Sequence, residues 1–300
     1  MKELTRILAV VALLGYHATA AAQAADPDRE ELQIAALEAL ASAPPERALP
    51  LAKKVLAGTH SEEVKERALF VLSQIDLPEA QQMLAEFARS GEGELRYEAI
   101  RMIGIGGDPA ALAELRSLYA TNDKELREAV LEAYLIADDE DAVYELAANA
   151  QSEGEFEDAV EILGAMNARE HLRRLRDKAG TSEEWIEAIA ISGDVDTLRE
   201  LALDGSDPER QANAIESLGI VGGGDEVTIT LVDIYRNAGS DEIREAALDG
   251  MLIADYDEGV LTLYRESKSA AEKKELLEYL VMMDSDEIWN IIDSALETPE

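Results

Sequence analysis

The chain has 300 residues, with 27 Lys and Arg against 64 Asp and Glu and a net charge of −37. That excess of negative charge repels duplex DNA and anionic lipid surfaces. The absence of cysteine removes disulfides, thiolate catalysis and zinc–sulfur centres, while a hydrophobic content of 47 % is ample for a packed core.

At the N-terminus, Lys2 and Arg6 flank the start of the apolar stretch "ILAVVALLGY" (Ile7–Tyr16), and small residues follow in "AAAQA" (Ala20–Ala24). A basic start, an apolar core too short to span a bilayer and small residues at −3 and −1 are the pattern of a cleavable secretory signal. The expected division is a signal peptide, 1–24, and one domain, 25–300. Without Lys2, Glu3 and Arg6 the domain holds 25 basic and 63 acidic residues, a net of −38. No later stretch is apolar enough to cross a membrane. The expected location is the periplasm of a Gram-negative cell, with secretion as the alternative.

From Asp28 onward the chain repeats. A small residue followed by a branched one recurs as Ala36-Leu37, Ala68-Leu69, Ala99-Ile100, Ala129-Val130, Ala159-Val160, Ala188-Ile189, Ala214-Ile215 and Ala247-Leu248, with Leu276-Leu277 as a degenerate last copy. The intervals run from 26 to 33 residues, so nine repeats fill the domain. Each reads as two helices. In "ELRYEAIRMIGIGG", Leu95, Ala99 and Met102 fall at i, i+4 and i+7 on one apolar stripe. Leu112, Leu115 and Leu118 begin a second stripe in the third repeat, as Ile288, Ile291 and Ile292 do in the ninth.

Between the two stripes of the third repeat lies "IGIGGDPAALAEL" (Ile103–Leu115). Its glycines suit a left-handed helix end, Asp108 an N-cap and Pro109 the first turn of the next helix. A phosphate loop would need a Lys-Ser or Lys-Thr pair after the glycines, and none is there. Joints between repeats, such as "GTHSEEVKE", "TNDKELRE", "GTSEEW" and "AGSDEIRE", offer Ser, Thr or Asp caps with acidic residues in the first turn. "VTITLVDIY" (Val227–Tyr235) has the composition of a strand, but its phase in the repeat predicts a helix.

The pattern "ELRYEAIRMIGIGGDPAALAELRSLY" resembles a HEAT-like repeat of the short bacterial type also named after phycobilisome lyases. The resemblance extends from Asp28 to about Leu296. It implies an all-α fold, an α-α superhelix of about nine antiparallel helix pairs. It implies architecture more than activity, since lyase-like or protein-modifying chemistry belongs to some members only.

Candidate chemistry is sparse. "HEXXH" does not occur, His60 falls in a joint as an exposed loop residue, and His171 is expected to be a solvated helix side chain, so no catalytic residue is assigned. Arg169, Arg173 and Arg176 share a helix face by i, i+4, i+7 spacing. They read either as a contact for an acidic partner or as bridges to glutamates of neighbouring repeats. Asp138, Asp139, Asp141, Asp194, Asp196, Asp255, Asp257, Asp284 and Asp286 fall at turns inside repeats. Of these, Asp138, Asp139, Asp141, Asp255 and Asp257 are weak candidates for a divalent cation, against the plainer reading as caps, because no twelve-residue calcium loop is present. The function expected is a non-enzymatic exported scaffold binding a protein partner through its curved surface, with no cofactor, no nucleic acid and no membrane insertion. A lyase-like or modifying activity, or weak cation binding along an acidic ridge, is the alternative.

Overall fold

A computed structural model describes residues 27–121, 123–222, 224–284 and 286–296. The expected signal peptide, 1–24, lies outside the described residues. Among them every regular element is a helix. The chain divides at Ala137/Asp138 into two compact units. The N-terminal unit holds three pairs: α1 (Pro27–Leu40) with α2 (Pro45–Leu56), α3 (Glu62–Ser73) with α4 (Pro78–Ser90), and α5 (Glu94–Gly106) with α6 (Pro109–Tyr119). The single helix α7 (Lys124–Ala137) completes it.

The C-terminal unit opens with α8 (Glu140–Asn149), which is the second helix of the fourth repeat. It continues as α9 (Glu153–Ala165) with α10 (Arg169–Arg174) and α11 (Arg176–Ala179), then α12 (Glu183–Ile191) with α13 (Val195–Leu203). The last three pairs are α14 (Pro208–Val221) with α15 (Asp225–Asn237), α16 (Asp241–Ile253) with α17 (Asp257–Glu266), and α18 (Ala270–Met282) with α19 (Asp286–Leu296).

Within each unit the first helices of successive repeats pack on one another, and second helices other than α10 pack mainly against the first helix that follows. The core therefore lies between repeats. Ala68, Ala99, Ala159, Ala214 and Ala247 and their branched neighbours are fully buried there. Ala36, in α1, is exposed.

The turn at Ile103–Leu115 forms for local reasons. Gly107 closes α5 at φ 65°, a left-handed conformation natural to glycine, and its N–H donates to the Ile103 carbonyl. Asp108 then caps α6, its Oδ1 accepting from the N–H of Ala110 at 3.1 Å and of Ala111 at 2.9 Å. Asp138, Asn167 and Asp255 take the same left-handed conformation in other repeats, as short polar side chains can. The joints are capped as their composition predicts, by Ser61, Asp123, Ser182 and Ser240.

"VTITLVDIY" is helical, inside α15. Val227, Leu231, Ile234 and Tyr235 are buried on one side, and the Thr228 and Thr230 hydroxyls donate back to carbonyls one turn earlier. Packing outweighs the poor intrinsic propensity of β-branched residues.

The second helix of the fifth repeat is broken at Leu175 into α10 and α11. The cause is Trp185 of α12, whose fully buried indole N–H donates to the Leu172 carbonyl at 2.9 Å. A side chain inserted into the helical ladder produces such a break. Trp185→Phe keeps the ring but removes one of two donors to that carbonyl, which still accepts from the Leu175 N–H at 3.1 Å, at a cost of about 0.5–1.5 kcal/mol. A thermal melt unchanged in this variant would contradict the assignment.

Candidate partner-binding surface

The arginine stripe is built on α10 and α11 and reaches forward to the sixth repeat. Arg169 Nε donates to the Ser192 carbonyl at 2.7 Å. Arg173 grips Asp194 with two bonds, Nη2 to Oδ1 at 2.6 Å and Nε to Oδ2 at 2.7 Å. Arg176 Nη1 donates to Glu200 at 3.2 Å. All three guanidinium groups are thus held by groups of the next repeat, beside an open groove of about 560 Å³ whose lining includes Arg173, Arg176, Arg199 and Glu200.

Asp194 is the buried partner, its side chain 2 % exposed. Burial by itself pushes its carboxyl up. The Arg173 guanidinium, with the Thr197 hydroxyl and backbone N–H, outweighs that and holds Asp194 below the usual carboxylate range. The same carboxylate caps α13. Nothing in the sequence singled out Asp194 from other turn aspartates.

The cation candidates occupy backbone roles. Asp138 and Asp255 are the left-handed residues of their turns, Asp139 caps α8 by accepting from the Ala142 N–H at 3.0 Å, and Asp257 begins α17. Asp141 faces His171, with Oδ1 2.9 Å from Nε2. Among the described residues no three His, Asp or Glu side chains are grouped to hold a metal ion.

Two histidine expectations need correction. His171 is only 15 % exposed, set between Asp141 and Glu140 and packed on the Tyr144 ring, which Arg174 covers from 3.9 Å. Helical spacing within α10 could not show this, because α8 supplies the other groups. His60 is half-buried in its loop.

A regular electrostatic contrast separates the two helix layers of the C-terminal unit. Second helices are tied forward by ion pairs: Arg173 to Asp194, Arg199 to Glu226 at 3.1 Å, Arg236 to Glu266 at 2.9 Å, and Arg265 to Glu287. First helices set carboxylates against carboxylates instead. Burial, and next the Glu184 carboxylate, raise Glu157 above its ordinary value; burial and then Asp249 and Glu183 do the same to Glu216.

A carboxylate raised in the folded state costs stability above its folded pKa, and the cost disappears as pH falls through that value. Glu157→Gln should therefore raise the melting temperature at neutral pH and low salt. The wild-type chain should also gain stability as sodium chloride screens its net charge. A melt that is flat or falling with salt, or a variant that melts lower, would contradict this.

A family model described as HEAT repeats matches residues 18–94. Over that segment the chain is similar to HEAT repeats. No curated protein matches it. Among solved structures, the complex of CpcE and CpcF of phycocyanin lyase from Nostoc is similar at 18 % identity and a TM-score of 0.35, covering 80 % of this chain and 94 % of that one. Human deoxyhypusine hydroxylase is similar at 17 % identity and a TM-score of 0.32, covering 91 % and 94 %. A designed armadillo repeat protein follows at 18 % identity and 0.26, covering 69 % and 99 %. At these scores the likenesses transfer no activity to the HEAT-like repeats described here.

Proposed function

We propose that this HEAT-like repeat protein is an exported, non-enzymatic scaffold that binds a protein partner, in the periplasm of a Gram-negative cell. The observation that carries the reading is repetition on the outside as well as inside. Repeats close their apolar stripes against their neighbours, and most first helices leave a large apolar side chain exposed near the end, as at Ile105, Ile136, Ile191, Ile220, Ile253 and Met282. A periodic open face suits an extended partner, and large exposed apolar side chains on so charged a surface mark contact sites. Export is supported by the signal-like pattern of the first 24 residues.

The test is cross-linking in intact cells followed by mass spectrometry, with N-terminal sequencing of the recovered chain. The expected result is a mature form beginning after Ala24, cross-linked to a defined protein at physiological salt. Recovery of an unprocessed cytoplasmic chain would overturn export. Repeated recovery of the chain with no protein partner would overturn the scaffold.

A further inference from the structure

Every first helix of the C-terminal unit carries, at or next to its last position, an apolar residue four positions after an acidic one. The pairs are Glu161–Ala165, Glu187–Ile191, Glu216–Ile220, Asp249–Ile253 and Glu278–Met282. A spacing of four sets both members on one side of the helix. Ile191, Ile220, Ile253 and Met282 are between 50 % and 68 % exposed, an unusual state for large apolar side chains in a chain this charged. Because α9, α12, α14, α16 and α18 pack in succession, the end residues form a row and the acidic residues a parallel one.

The two rows meet in a groove of about 240 Å³ between α9 and α12, lined by Glu157, Glu161, Glu184, Glu187 and Ile191 among others. On this layer the chain's own cations do little. Helices α9 and α12 contain no Lys or Arg. Arg210 of α14 is bonded to Asp204 and Gly180, and Arg244 of α16 to Asp241 within its own first turn. Lys274 pairs with Glu278 along α18 at 3.6 Å. Among the described residues, no ion pair joins one first helix of this unit to the next, whereas the second helices are joined repeatedly. Burial, and next the Glu184 carboxylate of α12, raise the pKa of Glu157, and burial, then Asp249 and Glu183, raise that of Glu216.

We propose that this first-helix face docks a cationic amphipathic segment of a protein partner, its Lys or Arg residues on the carboxylate row and its apolar residues on the Ile191–Ile220–Ile253–Met282 row. Charge complementarity selects the occupant. A second copy of a chain carrying −37 would bring like charges together, and a bare cation would leave the apolar row uncovered.

The inference rests on the scaffold reading and is tested with the full-length purified protein at physiological salt. The probe is a dye-labelled synthetic helical peptide of Lys and Leu, followed by fluorescence anisotropy. Two comparison peptides carry Ser in place of every Leu, or Glu in place of every Lys. The Lys-Leu peptide should bind, and both comparison peptides should bind weakly. The triple variant Ile191→Ser, Ile220→Ser, Ile253→Ser should lose at least about tenfold in affinity. So should the triple Glu187→Gln, Glu216→Gln, Asp249→Asn, whereas Glu145→Gln, Glu258→Gln, Asp293→Asn should not. Circular dichroism checks that each variant is folded, and exposed substitutions are expected to leave the helices intact.

Equal binding of the Leu-free peptide, or equal loss in the last triple, would reduce the effect to general charge attraction and overturn the proposal. Displacement of the peptide by excess calcium at unchanged ionic strength would overturn it in favour of a cation site, and self-association that excludes the peptide in favour of a homotypic contact. Cellular cross-links to a partner that map only to second helices would overturn this face while leaving the scaffold reading in place.

Discussion

Gly219→Ala should destabilise the C-terminal unit even though alanine is the better helix former. A Cβ at Gly219 would stand 2.5 Å from the Gly250 carbonyl oxygen and 2.7 Å from the Gly250 Cα, distances that backbone cannot concede without moving α14 away from α16. Alanine's helix propensity returns about 1 kcal/mol, while forcing packed elements apart costs typically about 1–3 kcal/mol, so the loss prevails. Valine, bulkier and β-branched, should lose more. Gly104→Ala tests the same contact in the N-terminal unit, where the added atom would stand 2.5 Å from the Ala133 carbonyl oxygen. Gly239→Ala is the control, because nothing lies within 4 Å of its added Cβ. It should be neutral or slightly stabilising. Denaturant melts in which Gly219→Ala equals or exceeds wild type would show that the first helices do not approach as described.

Removing Arg173 should have the other large effect. Arg173→Ala leaves the Asp194 carboxylate, 2 % exposed, without its guanidinium. Breaking a buried pair from one side costs about 3–5 kcal/mol. The lower end applies here, because the Arg173 side chain is 41 % exposed and water screens the lost attraction. The double variant Arg173→Ala, Asp194→Asn should recover much of the loss, since asparagine still caps α13 but carries no charge.

The pH dependence gives this pair a second readout. Asp194 is depressed in the folded protein. Its stabilising contribution is therefore present above the unfolded value of about 3.9 and is lost as pH falls through the folded value. The stability gap between wild type and Asp194→Asn should be full at pH 7 and close on acidification. In Arg173→Ala only the Thr197 hydroxyl and N–H still oppose the burial of Asp194, so that variant should lose less stability on acidification than wild type. Parallel pH profiles for the three proteins would refute the pairing.

Much of the fold was readable in order along the chain, and the reasons are local. "IGIGGDPAALAEL" specifies its own turn, because Gly107, Asp108 and Pro109 each favour the backbone state they occupy. The helix phase of "VTITLVDIY" was readable only through the repeat, since its composition points to a strand. The apolar row was also present in the sequence, near the ends of first helices in "AISGD", "GIVGG", "LIADY" and "VMMDS". Without burial it could not be told from core.

Other features depend on groups from different repeats meeting. Trp185 breaks a helix ten residues before it by taking the Leu172 carbonyl. His171 is enclosed by residues of α8, not of its own helix. The division at Ala137/Asp138 falls inside a repeat whose spacing is regular.

By itself, then, the sequence determined the helices, their caps and their pairing into repeats, because periodicity, turn chemistry and capping act over a few residues. Only the tertiary structure decided which turn aspartate is buried, which arginines are spent on internal pairs and which apolar residues stay outside. Those outcomes depend on distances between helices some thirty residues apart, where packing and desolvation act and local spacing carries no information.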